Sequence, residues 1–363
     1  MATGFPTKAN WSAGDLLTAS QMDDLAGTVN TLANVPPRNA VLNSNFSVWQ
    51  RSTSVAVTGN TTTYTADRWA CYRNTATANM TVSRQATGDT TNLPNIQYGA
   101  RIQRTAADTA TNTLQLVQMM ETVNSVPYAG KSVTVSFYAR AGANYSSASN
   151  ALSFILYSGT GTDQNLFNPG YTGSATPATG TATLTTTWQR FQYTGTIAAT
   201  ATELSTFFSY TPVGTAGTND YFEITGVQLE LGSTASTYYP NQPTYATELA
   251  ACQRYYWRNT AGADNYGSFT PIGGAVSTTS ITITSQPPVS MRSTTATLDY
   301  ASMSVYGGAS GGFGFLSVSN LILQRSTGNM IELSATVAGA TAGGFYRLQA
   351  NNAAGYLGVS CEL

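Results

Sequence analysis

The chain contains no histidine at all. That removes the usual general base of Ser-His-Asp and Cys-His sites, and every His-ligated zinc site. Charge is scarce too: 9% of the 363 residues are charged, and the formal net charge is -1. Only Lys8 and Lys131 are lysines. A nucleic-acid-binding chain needs a basic patch, and none stands out. The three cysteines, Cys71, Cys252 and Cys361, are too few and too scattered for a disulfide framework, so free buried thiols are expected. No segment approaches the ~20 apolar residues of a membrane span. Met1 to Asn10 lacks a basic stretch followed by an apolar run, so synthesis in the cytoplasm without a signal peptide is expected.

What is present is β-forming and aromatic. Thr is abundant, Gly and Asn cluster between strand-like runs, and 42% of residues are hydrophobic, enough to build cores. Strand-like runs cover Asn79 to Arg84, Ala100 to Arg104, Leu114 to Glu121, Ser132 to Arg140, Leu152 to Tyr157, Trp188 to Thr196, Leu204 to Tyr210 and Tyr221 to Leu231. About eight antiparallel strands in ~190 residues suit two packed sheets. The run Tyr221 to Leu231 alternates, with Phe222, Ile224, Gly226 and Gln228 expected on one face. Pro240 and Pro243 then end sheet structure. Thr247 is the expected cap of a short helix that buries Leu249, Cys252 and Tyr256.

Three units are therefore expected. Residues 1–38 form an arm, residues 39–235 a β-sandwich, and residues 236–363 a smaller β-sandwich with strands at Gly274 to Thr284, Ala296 to Val305, Asn320 to Arg325, Met330 to Ala335, Gly344 to Ala350 and Gly355 to Cys361. In the arm, Thr18 and Gln21 form a capping box. Met22, Leu25, Val29 and Leu32 follow in a seam-like rhythm and are the candidate oligomerisation residues. Two heptads do not fold alone, so the arm needs a partner surface: symmetry mates, its own sandwich or another protein.

Several motifs occur in a telling order. Asn43, Asn45, Phe46, Trp49, Gln50 and Arg51 open the sandwich, and Thr65-Ala66-Asp67-Arg68-Trp69 follows. Gly226 to Glu230 closes it. Cys252 to Tyr256, Pro288 to Arg292 and Ser360 to Leu363 come after. This series resembles bacteriophage tail-fibre and receptor-binding tail proteins that carry a jelly roll similar to carbohydrate-binding modules. The resemblance implies an all-β fold, a virion location, a homotrimer, other virion proteins as partners of the arm, and a host cell-surface glycan as ligand. It also implies a possible structural calcium, for which Asn43, Asn45 and Glu230 are the candidate ligands, although Ser47 stands where the family often has an acid. No other cofactor is expected.

Sugar rings stack on flat aromatic faces with polar groups at the rim. The chain has 21 tyrosines, and Tyr145, Tyr171, Tyr266 and Tyr306 lie in Gly/Ser/Asn-rich stretches. With Asp163 and Phe313 they form the candidate ligand-binding set. Catalysis is not expected. Among the acids, Asp220, Glu223 and Glu230 lie near one strand. The last two are about 23 Å apart along it, beyond the ~5–9.5 Å of a glycosidase pair. A head or baseplate decoration and a glycan-degrading tailspike are the two alternatives to a receptor-binding fibre.

Overall fold

The computed structural model describes residues 38–73, 77–309 and 312–363. The arm, with Met22, Leu25, Val29 and Leu32, lies outside the described residues. The first half builds β1 (Ser54–Val57), β2 (Thr62–Tyr64), β3 (Ala70–Tyr72), β4 (Met80–Ala86), β5 (Tyr98–Arg104) and β6 (Leu114–Met120). After these come β7 (Ser132–Ala141), β8 (Ala151–Gly159), β9 (Ala175–Thr183), β10 (Gln189–Thr196), β11 (Glu203–Tyr210) and β12 (Tyr221–Leu231). They form two six-stranded sheets, ordered β1-β4-β5-β12-β7-β10 and β2-β3-β6-β11-β8-β9, with antiparallel strand pairing throughout. This is a jelly-roll sandwich. Val133, Val135, Phe137 and Ala139 of β7 meet Leu204 and Phe208 of β11 and Phe154 of β8 in one core. The strands missing from the sequence reading, β1, β2, β3 and β9, are short or lie at sheet edges, where hydrophobic alternation is weakest.

The alternation of β12 changes phase midway. Phe222 and Ile224 face the core, and so do Val227 and Leu229. The pairing with β7 slips between Thr225 and Gln228, and Gly226 sits there at φ +58°. One extra residue in a bulge flips every later side chain to the other face, which is why a single alternation cannot fit the strand. A Cβ at Gly226 would meet Ile96 Cδ1 at 2.8 Å and Tyr138 Cδ2 at 2.9 Å. Gly226→Ala is therefore expected to cost about 2 kcal/mol or more, the sum of left-handed strain and overlap. Urea unfolding of the variant measures it.

The second half follows a helix, Tyr245–Gln253. Its N-cap is Thr244, which forms a capping box with Thr247, not Thr247 itself. Cys252 is buried as expected, but its companion on the buried face is Glu248 rather than Leu249, and Tyr256 already belongs to a strand. The strands are β13 (Tyr256–Thr260), β14 (Ser268–Ala275), β15 (Ser280–Ser285), β16 (Thr297–Ala301), β17 (Met303–Ala309), β18 (Gly312–Ser317), β19 (Asn320–Thr327), β20 (Met330–Thr336), β21 (Phe345–Ala350) and β22 (Tyr356–Ser360). A three-stranded sheet, β13-β22-β16, packs on a seven-stranded one, β18-β17-β21-β14-β15-β20-β19. Trp257, Leu357 and Val359 meet Ile283, Val305 and Leu333 in their shared core. Two expected strands are broken pairs: Gly274 to Thr284 is a hairpin, and Ala296 to Val305 bends at Ser302, whose φ is +51°. Among the described residues, no helix is long and apolar enough to cross a membrane.

The motif residues converge where the two sandwiches meet. Asn43 folds the opening turn: its Nδ2 donates to Val48 O and Asp67 O, and its Oδ1 accepts from Val48 N. Glu248 accepts from Asn43 N and Gln242 N. Burial pushes its carboxyl above the usual range, and those two N–H groups only partly offset this. Gln50 Nε2 bridges Asp67 Oδ1 and Tyr256 O. Arg68 stacks under the Tyr255 ring, 3.6 Å from its centroid, and pairs with Glu362. Glu121 accepts from Arg254 Nη1 at 2.7 and 2.8 Å and from the Tyr255 hydroxyl at 3.0 Å. The opening motif, the Cys-Gln-Arg-Tyr-Tyr segment and the final strand thus lock one sandwich to the other.

Candidate functional site

The outward face of the β2-β3-β6-β11-β8-β9 sheet carries an apolar cluster of its own. Phe207, Val117, Met119 and Ala70 are buried there, away from the sandwich core. They are buried because residues 160–174, between β8 and β9, fold over that face. As a result every residue of β11 is buried, on both sides. The loop is held by its own side chains. Asn165 Oδ1 accepts from Phe167 N at 2.9 Å, while its Nδ2 donates to Leu363 O at 2.9 Å. Gln164 and Thr172 exchange two hydrogen bonds across the loop. Leu166 N donates to Met119 Sδ at 3.2 Å, and the Tyr171 hydroxyl donates to Leu204 O at 3.1 Å. Gly170, at φ +94°, turns the chain back.

Between loop and sheet runs an open groove of about 370 Å³. Tyr157, Phe167, Tyr171 and Phe207 supply its walls, with Gln115 and Ser174 among its polar lining groups. Tyr157 stands edge-on to Phe207 at 5.5 Å, and Phe167 stacks on Tyr72 at 4.6 Å and 15°. The rings are thus fixed before any ligand arrives. Burial holds both tyrosine hydroxyls above the usual tyrosine range, so they stay protonated at neutral pH. The groove has flat apolar faces, an amide and a hydroxyl, and no charged lining residue.

A second cavity, about 350 Å³, lies at the junction of the sandwiches and is lined by Arg68, Gln118, Glu121, Arg254 and Tyr255 among others. Several of its polar groups are engaged by one another or by the backbone, although Arg68 Nε is buried without a partner. Glu121 is held by Arg254 and Tyr255, and the Gln118 amide is tied at both ends to the Leu42 backbone. It reads as a seam of the junction.

The candidate residues from the sequence fall into separate places. Tyr171 lines the groove. Asp163 begins the same loop but accepts from Thr122 N at 2.8 Å and from Arg292 Nη1 at 3.0 Å, so it anchors the loop. Tyr145 is not loop-exposed: it is buried on Tyr210, 4.7 Å between centroids, and donates to Ala151 O. Tyr266, Tyr306 and Phe313 come together far along the chain, on the seven-stranded sheet with Phe315. Sequence reasoning missed Tyr157, Phe207 and Gln115. All three point outward from strands, and only the tertiary position of the 160–174 loop turns that face into a groove.

The calcium candidates are taken up by the fold. Asn43 builds its turn as above, Glu230 Oε1 accepts from Gln228 Nε2 and Ser236 N, and Asn45 Oδ1 accepts from Ser47 N. No cluster of three or more acidic or thiol groups of metal-holding geometry occurs among the described residues. The acids along β12 are likewise engaged: Glu223 by Arg101 and Arg140, Asp220 by Arg104.

No family model matches the chain, and no curated protein matches it. Solved structures overlay on about half of it or less. A CBM4 structure shows 22% identity at TM-score 0.26, over 37% of this chain and 71% of that one. The CBM22-1 xylan-binding domain of Paenibacillus barcinonensis Xyn10C shows 12% identity at TM-score 0.33, over 55% and 99%. A cyclase from Fischerella sp. TAU shows 12% identity at TM-score 0.35, over 53% and 96%. Likenesses this distant, shared by a sugar-binding domain and a cyclase, carry no functional argument.

Proposed function

We propose that the chain is a glycan-binding structural protein, and that its jelly roll takes an uncharged oligosaccharide in the groove over β6, β8 and β11. The observation that carries this reading is the groove itself: four fixed aromatic side chains, with Gln115 and Ser174 beside them, around a volume of about 370 Å³. Stacking surfaces flanked by a few hydrogen-bonding groups are what a sugar ring requires. Phosphate or carboxylate ligands would need a cation there, and the lining offers none. The engagement of Asp220 and Glu223 by arginines supports binding without glycoside cleavage. The finer reading is a receptor-facing virion appendage, a phage tail fibre assembled as a homotrimer. It rests on the motif resemblance alone. In such an assembly each groove can be weak, because many copies act together.

The test is a glycan array followed by calorimetry on the intact chain. Tyr157→Ala and Phe167→Ala are each expected to weaken the best glycan about 2- to 10-fold, the worth of an aromatic contact of ~0.5–1.5 kcal/mol. With no group in the lining titrating near neutrality, affinity is expected to stay flat from about pH 5 to 9. Unchanged binding in both variants, or a steep pH profile, contradicts the assignment.

A further inference from the structure

Glu203 opens β11 and is fully buried. Alternation places it on the outward face with Phe207, under the 160–174 loop, and it sits opposite Gly159 in the pairing with β8. Its Oε1 accepts from Gln164 N. Its Oε2 is buried and has no hydrogen-bond partner. The buried carboxyls of Glu121, Asp220 and Glu223 each meet an arginine, and Glu362 Oε1, which also lacks a hydrogen bond, has Arg51 Nη1 3.5 Å away. Among the described residues Glu203 forms no such pair. A buried carboxylate oxygen with neither a donor nor a cation beside it is costly, so its partner has to come from outside the chain.

What faces that oxygen is a second acceptor. Gln164 Oε1 accepts from Thr172 N at 2.7 Å, while Gln164 Nε2 donates to Thr172 Oγ1 at 3.0 Å. Thr172 N can only donate, so the amide cannot turn its NH2 toward Glu203. A Cβ added at Gly161 would lie 2.1 Å from Gln164 Oε1 and 2.9 Å from Glu203 Oε2, and one added at Gly159 would lie 2.9 Å from Glu203 Oε2. The two oxygens therefore flank one point and are at most about 5 Å apart, the span of two ligands across an ion with bonds of ~2.3–2.6 Å. Neither glycine has a positive φ, so what each supplies is space. We propose that a hard divalent cation such as Ca2+ binds between Glu203 Oε2 and Gln164 Oε1 and clips the 160–174 loop to β11. One carboxylate and one amide oxygen, completed by water from the half-buried Gln164 side, suit Ca2+ rather than zinc. A single acid makes a weak site, in the ~10⁻⁴–10⁻³ M range of extracellular modules, and needs no cluster of three. Phe167 follows Gln164 by three residues, and Tyr171 Cβ packs on Gly159, 2.8 Å from its added Cβ. The ion thereby holds two walls of the groove, a consequence that rests on the glycan-binding reading.

The experiment uses the whole chain, first freed of metal with a chelator. Calorimetry with CaCl2 is expected to show one site with a Kd of about 0.1–1 mM. Glu203→Gln keeps the shape of the side chain and removes its charge. It is expected to weaken Ca2+ about 10-fold or more, with circular dichroism unchanged. A second measurement needs no variant. Ca2+ is expected to slow amide exchange at Gln164 and Thr172, whose N–H groups bond to the two ligand side chains, and to leave the second sandwich unaffected. Glycan affinity is expected to fall about 5-fold or more when Ca2+ is chelated. No saturable binding up to about 10 mM overturns the site, as does equal affinity in Glu203→Gln or unaltered exchange at Gln164 and Thr172. Water or a proton then sits between the two oxygens. Glycan affinity that ignores chelation overturns the clip. Ca2+ held through Glu203 by a chain that binds no glycan upholds the site and sinks the groove reading alone.

Discussion

Replacing Arg68 by methionine is expected to lower stability by about 1–3 kcal/mol, because it removes the hydrogen-bonded partner of the buried Glu362 carboxylate and leaves it to Arg51, 3.5 Å away. Arg68 and Glu362 have side-chain exposures of 2% and 4%, so water cannot replace the lost partner. Burial alone favours a neutral arginine. The Glu362 carboxylate, together with smaller contributions from Tyr255, Tyr64 and Cys252, outweighs that and holds the guanidinium more firmly protonated than a free one. Arg68 Nη2 also donates to Met119 O, next to the sulfur that anchors the groove loop through Leu166. The change therefore reaches both the junction and the groove wall. Urea unfolding followed by tryptophan fluorescence and by circular dichroism measures it. The paired variant Arg68→Met/Glu362→Leu should recover part of the loss, since no buried carboxylate remains and Arg51, which also pairs with Glu362, keeps its stacking on the Tyr256 ring. A loss under about 1 kcal/mol for Arg68→Met would show that Arg51 or solvent takes its place beside Glu362.

The second large effect is expected at Asp220. Its carboxylate accepts from Arg104 Nη1 at 2.7 Å, Ser146 N at 3.0 Å and Ser146 Oγ at 2.7 Å, and both charged side chains are fully buried. Arg104 Nη2 reaches the carbonyls of Asp108, Ala110 and Gly214, so the pair ties two loops to the strand ends. Asp220→Ala leaves the guanidinium with carbonyl partners but no counter-charge, at a cost of about 3–5 kcal/mol. The same denaturation experiment measures it. Glycan affinity of the folded fraction should not change, because Asp220 and Arg104 are absent from the groove lining. A combined loss of stability and affinity would link the two regions in a way the structure does not.

The strands most legible in the sequence were those with one clean buried face. The span of β12 was readable from Tyr221 to Leu231, yet its facing was not, because nothing local announces that Gly226 takes a left-handed bulge. Glu248 stands in the first turn of the helix, yet nothing local shows that it is the acceptor that joins the helix to the opening turn. The segment around Phe313 and Phe315 has the glycine content of a loop rather than a strand, yet it forms edge strand β18, where Gly312 and Gly314 leave one face bare at those positions. The candidate groove was least legible. Tyr171 was visible as a tyrosine in a Gly/Asn loop, but its partners Tyr157, Phe207 and Gln115 come from three strands brought together by pairing across β6, β11 and β8. Such a surface exists only once the sheet and its covering loop are in place.

The most direct measurement is a crystal structure of the intact chain with the best-binding oligosaccharide from the array. The expected result is a sugar ring lying against Tyr157 or Phe167, with Gln115 or Ser174 within hydrogen-bonding distance. Sugar bound instead in the junction cavity or on the Phe313–Phe315 face, with the groove empty, would contradict the account.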